Sequence, residues 1–292
     1  MDPLLFTEDT TMKDRTLTKT HITAYARFLR QEERAPATIK KYLRDIRSFT
    51  TWLERRPATK ELASSWKASL LEGGQSPTTV NAKLSAVNGL FRFLGWEDCR
   101  VKFLKLQHRV FRNASRELTK EEYHRLLNAA QRQGRDRLEL LMETICATGV
   151  RVSEVRFITV EALRELRADI TLKGKVRSIL LPQKLCRKLL KYAKRHKITS
   201  GAIFRTRSGR PISRGQIWRE MKSVCKAAGV APSKVFPHNL RHLFATVFYR
   251  ACRDIAKLAD LLGHSSIDTT RVYLMTTGAE HARQIEELGL LL

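Results

Sequence analysis

The sequence predicts a mainly α protein with a small β-sheet, built as two domains. Three observations carry that reading. Apolar residues recur at helical spacing through both halves of the chain. One stretch, ADITLKGKVRSILLP at 168–182, instead reads as two short strands around a Lys-Gly-Lys turn. Between the halves runs CRVKFLKLQHRVFRNASR, residues 99–116, with six Lys or Arg and no acid. The 292 residues suffice for two ordinary domains, and at 42% hydrophobic they can bury real cores.

Residues 1–16 are polar and mixed in charge, and fraying is expected there. The first domain is expected over 17–98 as four helices. LTKTHITAYARFLRQEE spaces Ile22, Tyr25, Ala26 and Leu29 along one face. APATIKKYLRDIRSFTTWLERR repeats the pattern with Ile39, Tyr42, Leu43, Ile46, Phe49 and Leu53, and turns Lys40, Lys41, Arg44 and Arg47 outward. TKELASSWKASLLEGG stops at a glycine pair. SPTTVNAKLSAVNGLFRFLGW opens with Ser76 as N-cap and Pro77 in the first helical position.

The all-basic stretch 99–116 is expected as an interdomain linker suited to lying along phosphates. The second domain is expected over 117–278. It opens with a capping box, Thr119 with Glu122. RDRLELLMETICATGV is a helix stopped by Gly149, and Arg151 is expected at the start of the next helix. After the hairpin, QKLCRKLLKYAKRHK is a basic amphipathic helix. Ser213 to Gly229 reads as one further capped helix. PHNLRHLFAT, RDIAKLADLLG and SSIDTTRVYLM follow, and the tail 279–292 is amphipathic with an apolar end.

Charge narrows the function. Lys and Arg number 55 against 29 Asp and Glu, a net charge of +26. The excess is spread over the chain: 21 basic and 12 acidic groups up to residue 115, then 34 and 17. Such a balance implies a polyanionic partner met by both domains. A membrane surface is the rival, but no transmembrane-length run, signal peptide or lipidation motif is present. The five cysteines, at least 27 residues apart, contain no CxxC pair and read as reduced thiols of a cytoplasmic protein. There is no GxxxxGK[ST] loop for a nucleotide and no carboxylate cluster for a two-metal nuclease.

HNLRH, in the stretch at 237–246, sets His238, Arg241 and His242 at i, i+3 and i+4, one face of a helix. Zinc would need further ligands and no competing cation, so an anion site fits better and no metal is expected. Metal-free chemistry on a phosphodiester needs donors for the non-bridging oxygens, a nucleophile and a proton for the leaving oxygen. The second domain supplies these in order: Arg151 in ATGVRVSEV, Lys173 in LKGK, His238 and Arg241 in HNLRH, His264 in LLGHSS and Tyr273 in DTTRVYL.

This ordered set resembles the tyrosine recombinase, or phage integrase, family. The resemblance extends over nearly the whole chain. It implies a helical, SAM-like core-binding domain followed by an α+β catalytic domain, as in the compact Xer- and Cre-like members, with no separate arm-binding domain before Thr18. It implies that Arg151 and Arg241 clamp the scissile phosphate and that His238 accepts a proton. His264 would touch the phosphate, and Tyr273 would form a 3′-phosphotyrosyl bond. Lys173 would protonate the departing 5′ oxygen. Lys175 in the same turn is the alternative, and Arg177 follows. His242 and Glu154 are expected to buttress the site. No cofactor, metal or ATP is implied.

The implied partner is duplex DNA bearing inverted repeats, embraced by both domains. The implied assembly is a homotetramer on two sites, a monomer or weak oligomer when free, with room for accessory proteins. The tail 279–292 would be exchanged between protomers or pack on its own domain. Lys40, Lys41, Arg44, Arg47, Lys83, Lys102, Lys105, Arg109, Arg112 and Arg214 are the candidate DNA contacts. The expected location is the cytoplasm, on the nucleoid. Two other readings stand beside this one. IAKLADLLGHSSIDTTRVYL also fits the helix-turn-helix of a non-catalytic DNA-binding regulator. A type IB topoisomerase would share the nucleophile chemistry.

Overall fold

The computed structural model of the chain describes residues 15–106, 116–172, 175–264, 266–271 and 286–287. The chain divides into two compact units, Met1–His108 and Arg109–Leu292. Each has its own apolar core.

Among its described residues the regular structure of the first unit is helical: α1 (Lys19–Gln31), α2 (Pro36–Leu53), α3 (Lys60–Glu72) and α4 (Pro77–Phe93). Side-chain oxygens of Thr18, Thr59 and Ser76 accept the first free backbone N–H groups of α1, α3 and α4. Apolar faces meet around Phe49, Trp66 and Phe91, all fully buried. Two expectations change at the ends of this unit. Arg15 is tied down, pairing with Asp98 and accepting the Ala58 backbone N–H at its own carbonyl. Residues 99–106, expected as the start of a linker, lie along α4 as a strap. Asn88 exchanges two hydrogen bonds with the Val101 backbone (2.8 and 3.1 Å), and Asn81 does the same with Leu104 (2.9 and 2.8 Å). Each asparagine satisfies an extended backbone that lacks a sheet partner, and Cys99 and Val101 bury their side chains beneath it.

The second unit packs α5 (Lys120–Arg132), α6 (Asp136–Thr148), α7 (Val160–Arg164), β1 (Arg167–Leu172), β2 (Lys175–Leu180), α8 (Gln183–Arg195), α9 (Arg214–Ser223), α10 (Cys225–Ala228), α11 (Pro237–Cys252), α12 (Ile255–Leu262) and α13 (Asp268–Arg271). The capping box of Thr119 and Glu122 forms at α5. β1 and β2 pair antiparallel, with Arg167 opposite Leu180 and Leu172 opposite Lys175. Helix α6 is central, burying Leu138, Leu141, Met142 and Ile145.

Two expected helices differ. Ser213 to Gly229 is broken at Val224, a fully buried residue with φ −95° and ψ −7°, so α9 and α10 are separate. After Gly149 the chain forms turns and a short 3₁₀ helix, Val155–Phe157, instead of an α-helix at Arg151. The cause is local: the Glu154 carboxylate folds back to accept the Arg151 backbone N–H at 2.9 Å. Among the described residues no helix is long and apolar enough to cross a membrane.

Candidate active site

Three chain reversals build the site. α6 ends at Gly149, whose φ of +64° and crowded surroundings suit only glycine. A Cβ there would fall 2.6 Å from Phe244 Cδ1 and 2.9 Å from Leu262 Cδ2. α11 begins with Pro237 in its first turn, so His238, Arg241 and His242 project from its N-terminal end. α12 ends at Gly263, again left-handed at φ +60°.

The end of α12 is the hub. Its terminal carbonyls have no helical partner, and the helix dipole makes them a centre of negative charge. Three arginines from three other segments occupy three successive oxygens. Arg177 Nη1 donates to Leu261 O at 3.4 Å, Arg241 Nη2 to Leu262 O at 2.8 Å and Arg151 Nη2 to Gly263 O at 2.9 Å. Arg241 Nη1 also donates to Gly149 O, which joins the ends of α6 and α12. Glu154, buried, is the carboxylate paired here, to Arg151 at 3.0 Å and Arg177 at 2.5 Å. Burial alone would raise its pKa, but the Arg151 backbone N–H and the two guanidiniums outweigh that and hold it below the ordinary value. Arg151, Arg177 and Arg241 thus bring three cations to one helix end. That is an electrostatic seat for an anion.

The histidines are tuned to be neutral. Arg241 carries only donors, so the 2.9 Å contact from its Nη2 makes His264 Nε2 an acceptor. The proton then sits on Nδ1, which donates to Thr270 Oγ1 at 2.8 Å. Desolvation and the cations Arg241, Arg151 and Arg177 lower the His264 pKa to about 4, in line with that tautomer. His238 reaches solvent, yet desolvation by its neighbours and Arg241 hold its pKa below the usual 6.5, leaving a base able to take a proton at neutral pH. His242, on the same helix, contacts Thr246 Oγ1 at 3.5 Å.

Of the residues singled out in the sequence, Arg151, Glu154, Arg241 and His264 are joined by direct contacts, and His238 stands one helical turn from Arg241. They differ in exposure. The Arg151 side chain is 38% exposed and keeps part of its donor fork open, whereas Arg241 is buried. Lys173, the Lys175 side chain and Tyr273 lie outside the described residues, as do Arg109, Arg112 and most of the tail 279–292. Sequence reasoning passed over Thr270 and gave Arg177 no role. Arg177 had a signal: on β2 it shares a face with Ile179 and Leu181, and a charge on the inward face of a strand needs a reason. The segment that resembled a helix-turn-helix is α12 and α13, and its turn faces the arginines.

The candidate DNA contacts fall on both units. Lys40, Lys41 and Arg47 are exposed on α2, Lys102 and Lys105 on the strap, and Arg214 at the start of α9; Lys83 is half-buried on α4. Arg44 is exposed, but Nε and Nη2 of its fork engage Asp45 Oδ1 at 3.0 and 2.9 Å. Arg30, Arg34, Lys40 and Arg47 rim an open cavity of about 480 Å³ floored by Pro36, Ile39 and Leu43. Arg30 and Arg34 are additions to the sequence-derived set.

Comparison with known proteins places this architecture. Residues 116–279 match the Phage integrase family, and residues 22–98 match the Phage integrase, N-terminal SAM-like domain. The chain is 29% identical over 289 residues to tyrosine recombinase XerA of Pyrococcus furiosus, covering 96% of this chain and 98% of that protein. It is 30% identical over 267 residues to tyrosine recombinase XerD of Bifidobacterium longum, covering 82% and 86%. Among solved structures, a lambda integrase tetramer bound to a Holliday junction superposes with a TM-score of 0.72 at 18% identity, covering 89% of this chain and 78% of that one. XerH site-specific recombinase bound to difH gives 0.66 at 19% identity, over 94% and 90%. With both of its units matched in order, the chain belongs to the phage integrase family, the family of the tyrosine recombinases.

Proposed function

We propose that this tyrosine recombinase cleaves and rejoins duplex DNA at a specific site, with Tyr273 as nucleophile and the arginine hub as the seat of the scissile phosphate. The observation that carries the reading is the convergence of Arg151, Arg241 and a neutral His264 at the end of α12, with His238 one helical turn from Arg241. Arg151 offers its open donors to a non-bridging oxygen, and Arg241 holds the frame that presents them.

Tyrosine, with a pKa of about 10, attacks poorly at neutral pH unless cations stabilise its oxyanion and a base takes its proton. His238 is the base. The Tyr273 oxygen forms a bond to phosphorus, and the 5′ oxygen leaves with a proton from Lys173 or Lys175. The phosphotyrosyl ester keeps the phosphodiester's energy, so a 5′ hydroxyl from a partner strand reverses the step and regenerates tyrosine without ATP. Four protomers on two sites would carry out two such exchanges through a Holliday junction. XerH bound to difH and a lambda integrase tetramer on a Holliday junction are solved relatives that support this assembly. The protein would act in the cytoplasm, on the nucleoid.

The test is covalent trapping. The protein and its Tyr273→Phe variant are incubated with fragmented genomic DNA of the source organism, denatured in SDS, and the attached fragments sequenced. Adducts from the parent alone, clustered at one inverted repeat, with equal DNA binding by both proteins, are expected. Adducts that persist in Tyr273→Phe would overturn the assignment of the nucleophile.

A further inference from the structure

Strand β2 carries a cation where an apolar residue would ordinarily sit. The pleat sets Arg177 beside Ile179 and Leu181, both buried, and its own side chain is only 15% exposed. Its contacts close a ring. Nη2 holds Glu154 Oε2 at 2.5 Å, Glu154 Oε1 holds Arg151 Nη1 at 3.0 Å, and Arg151 Nη2 holds Gly263 O. Two residues before Gly263, Leu261 O accepts from Arg177 Nη1. Arg177 Nε is buried with no hydrogen-bond partner among the described residues. Gly263 lies flat against this side chain, and a Cβ there would collide with Arg177 Cδ and Nη1. A buried ion pair is commonly no more stabilising than apolar side chains of the same volume, so stability alone gives little reason for a charge here.

We propose that Arg177 is a positioning residue for strand cleavage, acting through Glu154 to aim the Arg151 guanidinium at the scissile phosphate. Glu154 divides its two oxygens between two arginines. With Arg177 gone, the buried carboxylate has Arg151 as its remaining guanidinium partner in the ring. It then draws the Arg151 fork into a bidentate pair and away from the phosphate. The inference rests on Arg151 being a phosphate ligand, as proposed above.

The test uses the DNA site recovered by trapping, in two forms: with its ordinary scissile phosphate, and with a neutral methylphosphonate there. Single-turnover rates of covalent attachment and binding affinities are measured for Arg177→Met, Arg177→Lys and Arg151→Met. Arg177→Met is expected to bind as the parent does and to cleave ordinary DNA about 100-fold more slowly, the cost of a misaimed group. Arg177→Lys restores part of the rate. On methylphosphonate DNA most of the gap closes, because no anion remains for Arg151 to grip. An equal slowdown on both DNAs would mark a folding or docking defect and overturn the proposal, as would a parental rate for Arg177→Met. If Arg151→Met is slow on ordinary DNA while Arg177→Met is not, only the positioning role fails. If Arg151→Met cleaves as the parent does, the phosphate-ligand reading fails and the proposal with it. Should Arg177→Met not fold, Arg177→Lys takes its place: it is expected to cleave ordinary DNA more slowly than the parent and methylphosphonate DNA at close to the parental rate, and an equal slowdown on both overturns the proposal.

Discussion

Two arginines that look alike in the sequence do different work in the site, and their substitutions should part accordingly. Arg241 is 3% exposed and ties the Gly149 and Leu262 carbonyls together. Arg241→Ala leaves those carbonyls buried without a donor, and a loss of about 2–4 kcal/mol in urea unfolding is expected along with activity. Arg151→Ala leaves Glu154 still paired to Arg177, and about 1 kcal/mol is expected, with loss of cleavage. Equal stability losses would contradict the division. His264 adds a pH effect. Above pH 6.5 folded and unfolded chains are both neutral at this ring, and pH has no leverage through it. As pH falls from 6.5 toward the folded value of about 4, the unfolded chain binds a proton that the site refuses, so stability declines. Urea midpoints from pH 7 to 5 should fall more steeply in the parent than in His264→Gln; equal slopes would sink the assignment. The motifs named Arg151, His238, Arg241 and His264, because short spacings survive in any fold. Glu154 bonding to Arg177 spans 23 residues and Arg177 to Leu261 spans 84, and only the packed chain reveals such partners.

Among the elements, the reversals matter more than the helices they join. The helices were readable because each needs only a cap and a period: Ser76 with Pro77, Thr119 with Glu122, and the glycine ends of α6 and α12 lie where local chemistry requires them. The strap at 99–106 was not readable, since its partners Asn81 and Asn88 look like ordinary polar residues of a helix until the backbone they satisfy is known. The break at Val224 and the 3₁₀ turn after Arg151 were hidden for the same reason: burial and a side-chain carboxylate override a pattern that favours helix. Gly149 is the reversal with the sharpest consequence. Gly149→Ala combines a left-handed backbone with contacts to Phe244 and Leu262 that are too short to keep, and about 2–4 kcal/mol of destabilisation is expected. Gly134 has the same φ of +64°, but a Cβ there would meet nothing within 4 Å, so Gly134→Ala should cost only the backbone part, about 1–2 kcal/mol. Thermal melts of the two variants check this; similar losses would mean that packing at the α6 end contributes nothing.

For the whole molecule the governing quantity is charge. A net +26 carried by both units makes the electrostatic share of DNA binding large and divides it between them. The logarithm of the binding constant should fall linearly with the logarithm of salt concentration, at about 0.9 per phosphate neutralised. Single substitutions in the full-length protein then count contacts one at a time. Lys40→Gln and Arg47→Gln on the cavity rim of the first unit, and Arg214→Gln at the start of α9 in the second, should each lower the slope by about one and weaken all DNA sequences alike. Arg44→Gln should lower it less, because the Arg44 guanidinium is already partly neutralised by Asp45. Combining Lys40→Gln with Arg214→Gln should subtract both increments, since the two lie in separate units and would meet the polyanion independently. A slope that responds to only one of the units would mean that the other meets DNA through base edges or not at all, and the charge on that unit would then serve solubility instead of recognition.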